Sequence, residues 1–491
     1  MKITPSPEEV AKYRETGLYK VVPVSCELFA DICTPIQAVR KLKNVSSHCF
    51  LLESAEPQET WGRYTFLGYD PKMSITCADG EMRVNELKMQ TKDPSAVLRQ
   101  ILAEYKSPRI PGLPPFTGGL TGYFSYDYLN YSEPTVRRET EDTEHFQDVD
   151  LMLFDKVIAF DNLRQKIILI ANVRLDEGEA GYHRAEMELA ELKKLITEGA
   201  EAKDEPGRLT GEVTPLFNKA EYCAMVEKAR HYIKEGDIFQ IVLSNRLSAP
   251  YEGSLLNMYR TLRTVNPSPY MFYFSGTDVE VAGASPETLV KLENGVLHTF
   301  PLAGTRPRGT TPEEDRKLEE ELLQDEKELA EHNMLVDLGR NDLGRVSKFG
   351  TVEVEKYMDV LKFSHIMHIG STVRGEIRED KDALDAIEAV LPAGTLSGAP
   401  KIRACQLIDE LENCKRGIYG GAIGYIDFTG NMDTCIAIRI AYKKNGRVFV
   451  RSGAGIVADS VPKKEHTECI NKAKAVINAI RESADLDGAE N

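Results

Sequence analysis

Two sets of glutamates are the first residues of this chain whose spacing could do chemistry. Glu328 and Glu331 lie three apart, beside an apolar stripe of Leu318, Leu322, Leu329 and Val336. That stripe predicts one helix with both carboxylates on one face. Far downstream, Ile470, Ala473, Ile477 and Ile480 predict another helix, along which Glu465, Glu468 and Lys472 fall at i, i+3 and i+7. Taken alone, each set also describes a solvated acidic face. Brought together, four carboxylates would suit a hard divalent cation. Mg2+ takes one or two protein carboxylates, keeps water, and completes its shell with substrate oxygens. Spacing does not choose between these readings.

Other residues carry weaker signals. The run Thr434 to Tyr442 alternates as a strand, with Ile436, Ile438 and Ile440 on one face and Cys435, Ala437, Arg439 and Ala441 on the other. Arg439 among small residues could cap an internal carboxylate, or capture a ligand carboxylate with its two-pronged guanidinium. Gly453-Ala454-Gly455 follows a strand-like run and reads as a tight turn, which could aim backbone N–H groups at an anion. Gly304-Thr305-Arg306 and Gly394 to Lys401 share that ambiguity; the second crowds hydroxyls, small residues and a cation into eight positions. His365 and His368 belong to no recognisable metal-ligand spacing. The chain has no phosphate-binding loop, no dinucleotide fingerprint, and neither His-Glu-x-x-His nor Gly-x-Ser-x-Gly.

Short strand-like runs must position these groups. They include His48 to Glu53, Tyr64 to Tyr69, Val157 to Phe160, Lys166 to Val173, Ile238 to Leu247, Tyr270 to Phe274, Val279 to Gly283, Ile418 to Asp427 and Val448 to Arg451. Gly430-Asn431 and Asn445-Gly446 read as hairpin turns. Strands and helices do not alternate as in a parallel sheet. The expected class is α+β, with large antiparallel β-sheets packed as a sandwich and helices outside. Residues 197–214 are charged and small, without apolar period, and read as a linker between an N-terminal region (1–196) and a second region (215–485).

Composition bounds the function. The chain has 491 residues, 61 Lys and Arg against 77 Asp and Glu, and a net charge of −16. Such a field repels phosphate, which argues against a nucleic-acid coat. No apolar run approaches the roughly 18 residues a membrane span needs. Nine scattered cysteines without Cys-x-x-Cys pairs suggest reduced thiols, and hence a cytoplasmic protein.

Seven segments, in order, carry a family resemblance. They are Gly236 to Ser244, Pro301 to Gly309, Lys327 to His332, Leu335 to Asp342, Gly394 to Lys401, Tyr419 to Tyr425 and Gly453 to Val457. Together the chain resembles the chorismate-utilising enzymes, and within them the large subunits of anthranilate synthase. The resemblance implies that Glu331, Glu468 and Glu465 hold Mg2+, with Glu328 beside them. It places Gly304, Thr305, Tyr419, Arg439, Gly453, Ala454, Gly455 and Lys472 around chorismate. Expelling the ring hydroxyl needs a protonated acid, and Glu328, crowded by carboxylates, is the expected donor. His368 is the expected base, with Thr395 nearby.

Departures within the family favour one member. Isochorismate and salicylate synthases carry a lysine where Gln240 stands, and aminodeoxychorismate synthases commonly carry one at Ala303. The resemblance also implies a tryptophan feedback site, with Ser54 hydrogen-bonding the ligand and Pro269, Tyr270 and Met271 walling its indole. If those two segments pack together, the linker joins parts of one intimate unit. None of the nine cysteines lies in a Gly-x-Cys-x-Gly turn, so ammonia must come from a separate glutamine amidotransferase subunit (component II). A heterotetramer of two large and two small subunits is the implied assembly. The alternatives are aminodeoxychorismate synthase component I and a silent tryptophan-binding protein.

Overall fold

The computed structural model describes residues 2–55, 62–136, 140–203, 206–362 and 366–484. Its centre is two large antiparallel sheets. In the first, the strands run Val21–Phe29, Lys166–Arg174, Lys156–Asp161, Tyr64–Tyr69, Cys49–Glu53, Tyr270–Ser275, Glu280–Ser285, Ile440–Lys444, Arg447–Ile456 and Gln240–Glu252 across the sheet. In the second, they run Leu302–Pro307, Ile366–Glu376, Val296–Thr299, Thr288–Glu293, Met432–Ile436, Ala422–Asp427, Gly119–Phe124, Val149–Phe154, Met73–Ala78, Glu81–Val84 and Leu87–Gln90. The expected α+β sandwich is therefore the observed class.

An aromatic core fills the space between the sheets. Phe50, Phe66, Phe154, Phe272 and Phe449 meet Phe116, Tyr123, Ile423 and Tyr425 there. Phe50 and Phe154 stand edge to face at 4.8 Å, and Phe116 meets Tyr425 at 4.4 Å. Such contacts add about 0.5–1.5 kcal/mol per pair beyond area burial. Helices cover both outer faces. Pro35–Val45, Glu179–Glu198, Leu256–Val265 and Pro462–Ser483 pack on the first sheet, and Pro94–Ala103, Glu326–Gly344 and Ala383–Val390 on the second.

Both sheets mix early and late sequence. Cys49–Glu53 lies between Tyr64–Tyr69 and Tyr270–Ser275; Gly119–Phe124 lies between Ala422–Asp427 and Val149–Phe154. Residues before 197 and after 214 thus share main-chain ladders and one core. The connecting stretch is itself tied down: Arg208–Leu209 and Thr214–Pro215 pair with Gln240–Glu252. Both expected hairpins form. Asn445 and Gly446 have φ of 51° and 70°, the left-handed pair that a two-residue hairpin turn requires.

Three local readings need correction. Leu318 and Val336 do not share one helix. The chain breaks at Asp325, which ends Pro312–Gln324 and caps Glu326–Gly344 by accepting hydrogen bonds from the Lys327 and Glu328 amides. A short acidic side chain satisfies the orphan amides of a new helix, so the apolar period runs on while the axis does not. Gly453-Ala454-Gly455 is no turn; it continues the strand Arg447–Ile456. Nor is Thr434 to Tyr442 one strand: it breaks after Ile436 and resumes at Ile440.

Candidate active site

The last break builds the site. Met432–Ile436 belongs to the second sheet and Ile440–Lys444 to the first, so the chain changes sheets through Ala437, Ile438 and Arg439. Beside it, Glu280–Ser285 of the first sheet continues through Pro286 and Glu287 into Thr288–Glu293 of the second. The two crossings are laced together. Ser285 donates to the Ile436 carbonyl at 2.7 Å, the Ile436 amide to the Glu287 carbonyl at 3.0 Å, and the Ala284 amide to the Arg439 carbonyl at 3.2 Å. Arg439 has φ of 53°. That left-handed backbone costs a non-glycine residue about 1–2 kcal/mol, and it cancels the side-chain alternation expected of an unbroken strand.

Glu287 is the group that the sequence did not single out. Burial pushes its carboxyl up to about 7, against the pull of the Thr395 hydroxyl and of Arg439. Thr395, on the turn Gly394–Leu396, donates to Glu287 at 3.2 Å. Burial draws the Arg439 guanidinium below its usual value, and Glu287 opposes this. A signal was present: Pro286 interrupts an apolar double strand and is followed by one isolated acid.

Next to the crossings lies an edge of the second sheet. The pairing of Leu302–Pro307 with Ile366–Glu376 slips between Ala303 and Thr305, leaving Gly304 as a bulge with φ of 67°. The bulge turns the Gly304 carbonyl to His368, whose Nδ1–H donates to it at 2.9 Å; the Thr305 hydroxyl is 3.1 Å from the same nitrogen. This tautomer puts the ring lone pair on Nε2. Burial and the Arg439 charge hold His368 below its usual value, while the carbonyl contact opposes them. His368 therefore stands as neutral imidazole near neutral pH. His365 lies outside the described residues.

A wall of the first sheet faces these groups. Ser244, Leu243 and Val242 pair with Gly453, Ala454 and Gly455. The glycines here provide clearance. A methyl at Gly453 would sit 3.1 Å from the buried Tyr419 hydroxyl oxygen and 2.8 Å from the Leu243 carbonyl oxygen; one at Gly455 would sit 2.8 Å from Gln240 Nε2. Lys472 donates to the Gly453 carbonyl at 3.2 Å and pairs with Glu468 at 2.8 Å. Lys401 points away, into Asp342 at 2.7 Å and the Val390 carbonyl.

The two acidic helices do approach each other. Glu326–Gly344 packs on the second sheet and Pro462–Ser483 on the first. Glu331 feels Glu328 on its own helix and both Lys472 and Glu468 on the other; burial and the two carboxylates raise its pKa. Glu465 is raised by burial and by Glu468, and lowered by Ser460, Lys327 and Lys472. Glu328 lies 3.8 Å from Arg306, and its carboxylate is 3.3 Å from where a methyl on Gly304 would be. Among the described residues, no three His, Cys, Asp or Glu side chains are gathered closely enough to hold an ion. The donors are all carboxylate oxygens that crowd one another, which fits a hard dication.

A separate cavity of about 450 Å³ opens between the sheets. Ser54, Pro269, Tyr270 and Met271 all line it, because Met271 pairs with Glu53 across adjacent strands. Arg63, Lys291, Glu293 and Asp433 add charges to its wall. The Tyr270 hydroxyl donates to Asp433 at 2.8 Å and lies 2.9 Å from the Thr288 hydroxyl, one residue from Glu287.

Sequence comparison decides the family. A model of chorismate binding enzymes matches residues 47–478. The chain belongs to this family. It is 45% identical to anthranilate synthase component 1 of Acetivibrio thermocellus, covering 95% of this chain and 97% of the relative. It is 44% identical to that of Pseudomonas aeruginosa, covering 96% and 98%. The crystal structure of anthranilate synthase component I from Streptococcus pneumoniae superposes with a TM-score of 0.75 at 38% identity, covering 91% of this chain and 98% of that one. The menaquinone-specific isochorismate synthase of Escherichia coli, at 19% identity and a TM-score of 0.69, shares the fold.

Proposed function

We propose that this chorismate binding enzyme converts chorismate and ammonia to anthranilate, pyruvate and water, as the large subunit of an anthranilate synthase. The observation that carries the reading is a buried carboxyl, Glu287, held by the Thr395 hydroxyl at 3.2 Å, together with a histidine, His368, held by the Gly304 carbonyl at 2.9 Å, both within the field of Arg439. Ammonia adds at C2 while the C4 hydroxyl leaves. That hydroxyl needs a proton, and Glu287, raised to about 7, still holds one in about half of the molecules at neutral pH. Glu328, expected from sequence as the donor, lies on the acidic helix beside Arg306, and this reading prefers Glu287 because it is the buried carboxyl. His368 Nε2 is the base for the C2 proton; pyruvate then departs as its enolate and takes up a proton. Arg439, the Tyr419 hydroxyl, Thr305 and the small strand 453–455 orient the ring and its carboxylates.

Glu331, Glu468 and Glu465 would hold Mg2+. Bound there, the ion supplies positive charge to a substrate carboxylate. Lys472 adds a second cation on the same helix. Gln240 and Ala303 stand where a lysine would favour water or enzyme as nucleophile, which supports ammonia. Ammonia comes from a component II glutaminase, in an assembly of two large and two small subunits.

The cavity lined by Ser54 and Tyr270 is proposed to bind tryptophan as feedback inhibitor. Its size suits an indole, and Tyr270 reaches Thr288, the residue after Glu287. The site of action is the cytoplasm; among the described residues no helix is long and apolar enough to cross a membrane.

Incubation with chorismate, Mg2+ and ammonium tests the reading. Anthranilate fluorescence is expected. Accumulation of 4-amino-4-deoxychorismate would assign the chain to the other branch of amination. Tryptophan binding without turnover would leave only a binding protein.

A further inference from the structure

A buried ionic knot lies under the site and belongs to none of the groups above. Glu412, Arg416 and Arg451 are each 2% exposed or less. Glu412 accepts from the Ser244 amide at 2.7 Å, from Arg451 at 2.7 Å and from Arg416 at 2.7 and 3.0 Å. Arg451 reaches on to the Ser244 hydroxyl at 2.8 Å and to the Lys415 carbonyl at 3.0 Å. Two of these ions would stabilise each other without the third, so a second arginine needs another reason to be there.

Arg416 spends its remaining donors on backbone. It donates to the Leu396 carbonyl at 2.6 Å and to the Val242 carbonyl at 2.7 Å. Leu396 follows Thr395 on its single turn, and Val242 faces Gly455 in the small-residue strand. The guanidinium also lies over the Tyr126 ring at 4.6 Å. One planar cation thus ties the turn of the Glu287 partner to Val242, the strand neighbour of Gly455. The turn Gly394–Leu396 closes on itself through the Leu396 amide on the Ala393 carbonyl at 3.0 Å and the Ser397 amide on the Gly394 carbonyl at 3.3 Å, and the Leu396 carbonyl is its anchor to Arg416. A lysine could keep the charge opposite Glu412, but it is a point donor and cannot span both carbonyls and the carboxylate.

We propose that Arg416 is a positioning residue for the reaction: through the Leu396 carbonyl it sets where the Thr395 hydroxyl meets Glu287. The inference rests on the reading of Glu287 and Thr395 as proton-handling partners. The loss is expected mainly in kcat, because the contact it sets is made to the acid and not to the substrate carboxylates.

The test is a double-mutant cycle on the ammonium-dependent reaction, with Arg416→Lys, Thr395→Val and both together. Wild-type anthranilate formation is measured first; its absence would reject the proposed function and not this inference. Arg416→Lys is expected to lower kcat at least tenfold, with the chorismate KM moving less than about threefold, since misplacement by about 1 Å can cost a hundredfold. In the Thr395→Val background the same change should cost less than about threefold more, because the two residues act as one unit. Losses that multiply, a kcat within twofold of wild type, or a change confined to KM would each overturn the proposal. If Arg416→Lys lacks a cooperative thermal transition, Tyr126→Leu replaces it in the cycle. That variant removes the ring against which the guanidinium rests and leaves the ions in place, and the same outcomes decide.

Discussion

The strand crossings and the acidic helices solve the same problem in opposite ways. At the crossings, backbone does the positioning. Three interstrand hydrogen bonds lace Ser285, Glu287, Ala284, Ile436 and Arg439 together, and Thr395 already touches Glu287. At the helices, Glu331 faces Glu468 and Lys472, and Glu465 faces Lys327, across two elements that rest on different sheets, and among the described residues no ligand set is gathered. The difference teaches a division of labour. On the proposed roles, the groups that move protons are fixed before substrate arrives, whereas the like charges that repel one another would be left for a cation and a substrate carboxylate to draw together. Preorganisation is cheap where the neighbours are hydrogen-bond partners and costly where they are carboxylates.

Variants in the two regions should therefore fail differently. Glu331→Gln is expected to abolish Mg2+-dependent turnover, because a neutral amide is a poor ligand for a hard cation. Wild-type activity at any Mg2+ concentration would reject the clamp. Glu287→Gln should lower kcat by about a thousandfold without altering the Mg2+ response, since it removes a proton donor and not a ligand. A shift in the Mg2+ requirement would instead merge the two regions into one.

The pH profile sharpens the contrast. Glu287 holds its proton below about 7 and loses it above. The donor is therefore fully armed on the acid side, and kcat/KM should fall as pH rises through that region. His368, held low, would work in the other direction as the proposed base, available once the pH exceeds its own lowered value. Glu287→Gln should erase the alkaline limb only. Ser54→Ala is the smallest perturbation. It should weaken tryptophan inhibition about tenfold while the uninhibited rate moves less than twofold, because coupling energies of this kind are typically 1–3 kcal/mol. Unchanged inhibition would dismiss Ser54 as a contact.

Much of this was legible in the chain, and what was not has a physical reason. Hairpin turns at Gly430-Asn431 and Asn445-Gly446 were readable because tight connections demand positive φ, which Gly430, Asn445 and Gly446 adopt. The helix Pro462–Ser483 was readable because Ile470, Ala473, Ile477 and Ile480 keep one face on the first sheet. The adjacency of Ser54 and Tyr270 came from family segments, and the ladder between Cys49–Glu53 and Tyr270–Ser275 gives it geometry. Residues that change sheets escaped. Apolar alternation runs through Thr434 to Tyr442 without a break, because both sheets bury that run; only the backbone of Arg439 betrays the crossing. Glu287 escaped for the same reason, hidden in a second crossing. The glycines of 453–455 looked like a turn because clearance for Tyr419 and Gln240 and flexibility for a bend use the same residue.

The division between fixed crossings and a charge-driven clamp is tested most directly by calorimetry of chorismate binding with and without Mg2+, in wild type and in Glu331→Gln. The account predicts that Mg2+ tightens chorismate binding at least tenfold in wild type and has no effect in the variant. Equal affinity with and without the ion in wild-type protein would contradict it.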